Sequence, residues 1–340
     1  MQVSPKQCHE AMKRILMAGK VPYVKANPGV GKSHIAYAVA KEFNLFVIDF
    51  RLTTADPTDL QGFPNTTQNN TRMGYLPPED IPIVGDKIPE GYDGWFLFFD
   101  ELSQAFPSLQ NASYKIFLDR MVGQYKIHKN CVMAAAGNLD TDQANTYRMS
   151  TALQSRIIHL QLTVSNDDWQ LWALENDIDY RIRAFLKWRK PLLHNFKPDH
   201  VDDTFACPRT WEFASDLIKF DPDQIDNISL ANLSGTIGSG PAIEFHGFTQ
   251  IYDKLPTYAS LLKDPKGTIM PDEPSVLYAL ASLISHEDNL DTVPNVMPFI
   301  TRLPVEFQVW TLRDAIKKKP ELLYDPVIED WKIKYADRLW

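Results

Sequence analysis

The chain has 340 residues, with 35 Lys and Arg against 43 Asp and Glu, for a formal charge of −8. Hydrophobic residues make up 44% and charged residues 23%, which excludes a disordered chain or a collagen-like fibre and predicts two domains, with room for a third small one. The acidic balance argues against wholesale coating of nucleic acid, although it leaves room for a local basic channel. No apolar run nears the roughly 18 residues that a bilayer span requires, and the charged N-terminal stretch lacks the apolar region of a secretory signal. Cys8, Cys131 and Cys207 lie far apart and form no CxxC, a usage that predicts reduced thiols in a cytoplasmic setting and no cysteine-based zinc site.

The chain opens on a helix. Ser4 is placed to cap it, Pro5 suits its first position, Gln7 completes a capping box and Gly19 stops it. Short apolar runs then alternate with helical patterns: Tyr23–Lys25, Leu45–Asp49, Trp95–Phe99, Val132–Ala136 and Ile157–Leu162. Strands that are apolar on both faces and separated by helices predict a parallel sheet covered on both sides. Residues 56–94 hold six Pro and five Gly, too many for a plain connection and the mark of a functional loop. Beyond about residue 163 the strands stop. Residues 167–190, 208–220 and 241–255 read as helices, Asp264–Gly267 as a linker, and the tail from Pro274 as helices broken at Pro294, Pro298, Pro304 and Pro320.

One segment carries a phosphate-binding pattern. Ala26-Asn27-Pro28-Gly29-Val30-Gly31-Lys32-Ser33 follows a strand and opens a helix, and it fits GxxxxGK[ST] with Ala26 in place of the first glycine. Successive backbone N–H groups in such a loop can wrap a β-phosphate, and the helix N-terminus adds its dipole. The candidate nucleotide-binding residues are Asn27, Pro28, Gly29, Val30, Gly31, Lys32, Ser33 and the adjoining His34, with Lys32 for the β- and γ-phosphates and the Ser33 hydroxyl for Mg²⁺. The competing reading is a glycine turn before an ordinary helix.

The strand Trp95–Phe99 ends in Asp100-Glu101. In a parallel sheet the strand C-termini meet at the ligand. Asp100 can therefore hold Mg²⁺ through water, and Glu101, aimed elsewhere, can polarise an attacking water as a general base. The alternative is a pair of solvated acids. Asn138 ends the next strand, where an amide could orient the same water or simply form a turn. Arg156 stands just before the last strand. Residues 181–197 hold six basic residues and no acid, which reads either as a single-stranded nucleic-acid surface or, preferably, as a helix with a solvated face. His194, His200 and Asp203 match no metal-ligand spacing.

Together these elements resemble the AAA+ ATPases, and the surrounding text points to their MoxR-like, dynein-related branch. Thr58-Asp59-Leu60-Gln61-Gly62 resembles that branch's DLxG stretch, and Asp100-Glu101-Leu102-Ser103-Gln104-Ala105 its DEINRA, with Ser103-Gln104 in place of Asn-Arg. Residues 108–129 resemble the following helix and hairpin, with Gln110 in the matching place. Ala152-Leu153-Gln154-Ser155-Arg156-Ile157 resembles LxxRF, and Cys207-Pro208-Arg209-Thr210-Trp211-Glu212 resembles SPRxW. The resemblance covers roughly residues 1–255.

It implies an α/β fold: a P-loop αβα core with a five-stranded parallel sheet over residues 1–163, an insert at about 63–94, an all-α lid at 164–265 and a helical C-terminal extension at 266–340. It further implies hydrolysis of ATP with Mg²⁺ at subunit interfaces, in a homo-oligomeric ring, spiral or filament, with a hexamer the usual form. By the same resemblance Asn138 is the sensor-1 residue, Arg156 an arginine finger acting on the neighbouring subunit's nucleotide (Arg148 is a second interface arginine) and Arg209 the sensor-2 residue of the lid. The shared reason is that phosphoryl transfer spreads charge over oxygens that fixed cations stabilise. Two inserts would face a central channel, making Tyr75 and Tyr125 substrate-touching aromatics or else plain surface loops. The implied work is remodelling of a protein client, with a von Willebrand A-type protein as an expected partner. The other readings are a nucleic-acid translocase of the same fold and a nucleotide-gated scaffold or filament.

Overall fold

Apolar runs that alternate with helices assemble in the computed structural model into one parallel sheet, which the helices flank. Residues 2–66, 72–142, 146–200, 202–221, 224–287 and 289–335 are described. The chain divides into two units, residues 1–168 with 196–200, and residues 169–195 with 201–340.

In chain order the first unit runs β1 (Gln2–Val3), α1 (Pro5–Met17), β2 (Val21–Lys25), α2 (Lys32–Glu42), β3 (Leu45–Arg51), α3 (Pro57–Gln61), β4 (Phe63–Thr66), β5 (Met73–Leu76), β6 (Gly94–Asp100), α4 (Pro107–Asp119), β7 (Met121–Val122), β8 (Tyr125–Lys126), β9 (Cys131–Gly137), α5 (Thr151–Gln154) and β10 (Ile157–Leu162). Six strands form the main sheet in the order β1-β10-β2-β9-β6-β3, and every pair is parallel. The five strands marked by the sequence are all present. The sixth, β1, differs from the five-strand expectation. It is two residues that pair Gln2 with Gln161 and Val3 with Leu162, too short to leave a periodic signal.

The sheet's two faces bury separate cores. Trp95, Leu97 and Phe99 of β6 belong to one, together with Met133, Ala135 and Tyr23; Phe96 and Phe98 belong to the other, with Ala134, Ala136 and Val24. This is the period-two signature of a strand buried on both sides. The helix α1 starts as its residues dictate: Gln7 N donates to Ser4 Oγ (3.4 Å) and Ser4 N donates back to Gln7 Oε1 (3.0 Å).

α6 (Asn166–Glu175) carries the chain into the second unit, which continues with α7 (Tyr180–Trp188), α8 (Pro208–Ile218), α9 (Asn227–Ile237), α10 (Ser239–Thr249), α11 (Tyr258–Lys263), α12 (Pro274–His286), α13 (Val293–Ile300), α14 (Val305–Lys318) and α15 (Pro326–Tyr335). The helical stretch 167–190 is broken between α6 and α7, where Asp177 takes φ +52° and the Asp179 carboxylate caps α7 by accepting from Arg181 N (2.8 Å). Phe185 packs its ring 5.4–5.8 Å from those of Trp211, Phe245 and Phe248, which ties α7, α8 and α10 together.

Two expectations are corrected in this unit. Arg181 and Arg183 are not on a solvated face; each is 3% exposed, Arg181 paired with Asp179 and Arg183 with Asp314 of α14. Buried cations persist only when they are paired in this way. Pro298 does not break its helix but lies inside α13, which ends two residues later at Ile300. Burial keeps the Cys8 and Cys131 thiols protonated by pushing both up to about 12. Among the described residues no helix is long and apolar enough to cross a membrane.

Gly137 ends β9 against β2 with no room for a side chain: a Cβ there would lie 2.4 Å from Tyr23 Oη and 2.6 Å from Ser103 Oγ. Gly137→Ala is therefore expected to destabilise the protein by about 1–3 kcal/mol. Urea unfolding checks this, and an unchanged midpoint would mean that β2 and the turn after β6 are not packed this tightly.

Candidate functional site

Three adjacent strands, β2, β9 and β6, end on the same edge of the sheet. Each hands its next residues to a turn, and those turns meet.

The turn after β2 is the loop Ala26–Gly31. Ala26 is fully buried and its N–H donates to Gly137 O (3.3 Å), which pins the loop's start to the end of β9. Gly31 takes φ +95° at the N-cap of α2, a left-handed conformation that a Cβ would strain. Lys32 and Ser33 thus begin α2 directly behind the loop. The Lys32 ammonium donates to Asn138 Oδ1 (2.7 Å) and to the carbonyls of Ala26 (3.1 Å) and Asn27 (3.3 Å). The Ser33 hydroxyl donates to Asp100 Oδ2 (2.8 Å). Pro28, Gly29 and Val30 complete the loop, and His34 is exposed on the first turn of α2.

The turn after β6 separates the two acids. Glu101 has φ +61°, unusual for a non-glycine residue and a conformation costing of order 1 kcal/mol. The bend turns Glu101 off the strand line while its N–H donates to Asp100 Oδ1 (2.8 Å). Its carboxylate accepts from Thr53 Oγ1. The register explains that contact: Arg51 of β3 pairs with Asp100, and Leu52 N donates to Asp100 O (3.1 Å), which brings Thr53 level with Glu101.

Asn138 is held by its backbone. Its N–H donates to Ser103 Oγ (3.0 Å), and Ser103 Oγ lies 3.2 Å from Asn138 O as donor. Gln110, 4% exposed, holds the turn from behind, donating through Nε2 to Leu102 O and Ala105 O (3.2 Å each). One buried acid bridges the first and third turns: Asp142 accepts from Asn27 Nδ2 (2.7 Å) at one oxygen and from Leu139 N (3.2 Å) at the other. Below them, burial raises the Tyr23 hydroxyl well above the ordinary tyrosine range, and the Asp140 carboxylate adds to the shift.

Lys32, Ser33, Asp100, Glu101 and Asn138 are therefore brought together. Arg156 is not. Its neighbour Ile157 is in register with Val21, the first residue of β2, whereas the loop follows Lys25, which is in register with Gln161. Four strand steps are roughly 13 Å. Arg156 thus sits at the opposite edge of the sheet from its own chain's loop, stacked over the Tyr114 ring at 4.8 Å and donating to Ala152 O (2.6 Å). Arg148 is exposed in the loop before α5. Arg209 is exposed on the first turn of α8 in the second unit.

Thr53 and Asp142 carry no motif in the sequence, and Ser103 has a signal only as part of the Asp100–Ala105 stretch, which does not show that its hydroxyl holds Asn138. The inserts form two antiparallel hairpins, β4–β5 and β7–β8. They are neighbours: a Cβ on Gly123 would lie 3.2 Å from Tyr75 Cβ, and one on Gly74 would lie 3.4 Å from the Gln124 side chain. Phe63 and Met73 are each 68% exposed there. Residues 67–71, between β4 and β5 in the sequence, lie outside the described residues.

No protein-family model matches the chain, and no curated protein matches it. Solved structures that align with it include a candidate ATPase of Cytophaga hutchinsonii, at 15% identity over 88% of this chain and 78% of that one, with a TM-score of 0.36. NtrX of Brucella abortus aligns at 12% identity over 92% of this chain, which spans only 60% of the NtrX chain, with a TM-score of 0.35. A point mutant of Thermotoga maritima RuvB aligns at 16% identity over 87% of this chain and 85% of that one, also with a TM-score of 0.35.

Asp142 ties the loop to the Asn138 turn. Asp142→Ala leaves Asn27 Nδ2 and Leu139 N unpaired, and is expected to cost about 1–3 kcal/mol while speeding hydrogen exchange at the loop amides. Wild-type exchange over residues 26–31 in this variant would show that the two turns are independent.

Proposed function

We propose that this protein is an AAA+ ATPase that hydrolyses ATP with Mg²⁺ in a homo-oligomer and remodels a protein client, in the manner of the MoxR-like branch. The observation that carries the reading is the meeting of Lys32, Ser33, Asp100 and Asn138 at the ends of three adjacent parallel strands, directly behind a glycine loop that opens a helix. On this reading the N–H groups of the loop from Asn27 to Lys32 cradle the phosphates, and Lys32 neutralises the β- and γ-oxygens. The Ser33 hydroxyl and Asp100 carboxylate form a paired, all-oxygen donor set, the kind that Mg²⁺ accepts alongside waters, so these two residues would hold the ion. Bound there, Mg²⁺ would neutralise charge on the phosphates.

Glu101 is the proposed general base. Thr53 holds its carboxylate in place, and Asn138 orients the attacking water. Arg156 lies at the far edge of its own sheet, which supports action on a neighbouring chain's nucleotide and makes hydrolysis depend on assembly. Arg209 is the proposed lid cation, with residues 164–265 as the lid and 266–340 as its extension. Tyr75 and Tyr125, on adjacent hairpins beside exposed Phe63 and Met73, are the proposed client-facing aromatics.

Mg·ATP binding and turnover test the reading. Lys32→Ala is expected to weaken ATP binding by about 10–100-fold. Glu101→Gln is expected to keep binding but lose about 10²–10⁴-fold in turnover. Wild-type affinity in the first variant would end the phosphate-loop assignment, and wild-type turnover in the second would remove Glu101 as the base.

Mixed subunits test the division between chains. Arg156→Ala alone is expected to bind ATP without turning it over, and mixing it with Lys32→Ala to restore part of the activity, because each supplies what the other lacks. If a dilute, monomeric wild-type chain hydrolyses ATP at the full rate, the trans-acting role of Arg156 is lost.

A further inference from the structure

The main sheet ends at β3, and that edge is open: among the described residues no strand lies on its outer side. β3 is seven residues long and holds no proline. It pairs with β6 residue for residue, from Leu45 with Gly94 to Arg51 with Asp100, so no bulge turns the edge away. Just beyond β3, Leu52 N donates to Asp100 O (3.1 Å). Main-chain groups alternate sides along a strand, so Phe46, Ile48 and Phe50 direct theirs to β6, and Val47 and Asp49 direct theirs away from the sheet. Among the described residues those outward N–H and C=O groups have no hydrogen-bond partner. Such a row is a template for one more strand.

A groove lies beside this edge. Phe46, Ile48 and Phe50 share one face of β3. There Ile48 and the chain from Pro77 to Lys87 frame a cavity of about 340 Å³, room for one or two side chains of a partner. Its reachable apolar wall is Ile48, Pro78 and Ile83, all half-buried, and Phe46 is 39% exposed on the same face. The rim is acidic: Glu79, Asp80 and Asp86 are exposed against one lysine, Lys87. Asp86 accepts from Ile83 N of its own loop (2.7 Å), which fixes its carboxylate without neutralising it.

We propose that β3 takes an extended, basic segment of a partner protein as an added strand. The segment's main chain pairs with Val47 and Asp49. An aliphatic side chain enters the groove against Ile48, Pro78 and Ile83, and nearby Lys or Arg side chains meet Glu79, Asp80 and Asp86. Main-chain pairing supplies affinity, while groove and charge select the sequence. Nucleic acid fits less well because these acids repel phosphates, and a second copy of this chain fits less well because it would bring two acidic rims together.

The test is fluorescence anisotropy of the full chain, without nucleotide, using a fluorescein-labelled peptide that alternates Lys with Val and Ile. Saturable binding that weakens with added salt is expected, and the same peptide with Glu in place of Lys should not bind. N-methylation of its central amides keeps every side chain and charge but removes the strand's donors, and should weaken binding at least about tenfold. Glu79→Lys combined with Asp80→Lys, both at exposed positions, should also weaken it about tenfold, and Glu321→Lys, exposed in the second unit, should change nothing. Circular dichroism establishes that the variants fold. Hydrogen exchange should slow at the Val47 and Asp49 amides when the unlabelled peptide is added. No saturable binding, equal binding of the N-methylated peptide, unchanged exchange in β3, or preference for labelled oligothymidine would each overturn the proposal. Protection of β3 that rises with protein concentration alone would give the edge to a second copy and overturn it as well.

Discussion

Parallel pairing of β2, β9 and β6 is the constraint on which the candidate site depends, because it puts three C-terminal strand ends side by side and gives each a turn on the same edge. A strand running the other way would carry its functional residue to the far edge, as happens to Arg156 simply by preceding β10 rather than following it. The close contacts follow from that alignment. Ser33 reaches Asp100 and Lys32 reaches Asn138 across more than sixty and one hundred residues of sequence, with no long side-chain detours. The burial that drives the alignment is ordinary: β6 is apolar on both faces and is covered on both.

Around those ends the backbone is secured by polar groups that cannot reach water cheaply. Ser103 clamps both backbone groups of Asn138, Gln110 closes the turn after β6 from inside, and Asp142 spans the loop and the Asn138 turn. Each satisfies groups that would otherwise be buried unpaired. The left-handed Glu101 is a local cost here; it sets the second acid apart from the first, and Thr53 then holds its carboxylate. A turn held by this many hydrogen bonds suits a site whose proposed work is to receive charge at fixed positions.

The second unit is built on different terms. Its aromatic centre around Phe185 is conventional, but it also buries Arg181 and Arg183 in ion pairs, the latter linking α7 to α14. Buried pairs add little net stability, yet breaking one leaves an unpaired charge, so they favour a single arrangement of the helices they join.

Much was legible in the residues alone. Strand positions, the capping box at Ser4, the loop ending in Lys32-Ser33 and the acids after β6 all rest on local patterns, because periodicity, glycine placement and capping act over a few residues. Other features belong to the fold alone. β1 exists only because β10 offers it an edge, and Arg183 is buried only because Asp314 lies opposite it. Thr53 meets Glu101 only through the register of β3 on β6, and Asp142 meets Asn27 only because β2 and β9 are neighbours. Short-range chemistry is written in consecutive residues; which distant side chains become partners is decided by strand order and register, which no local stretch of the chain encodes.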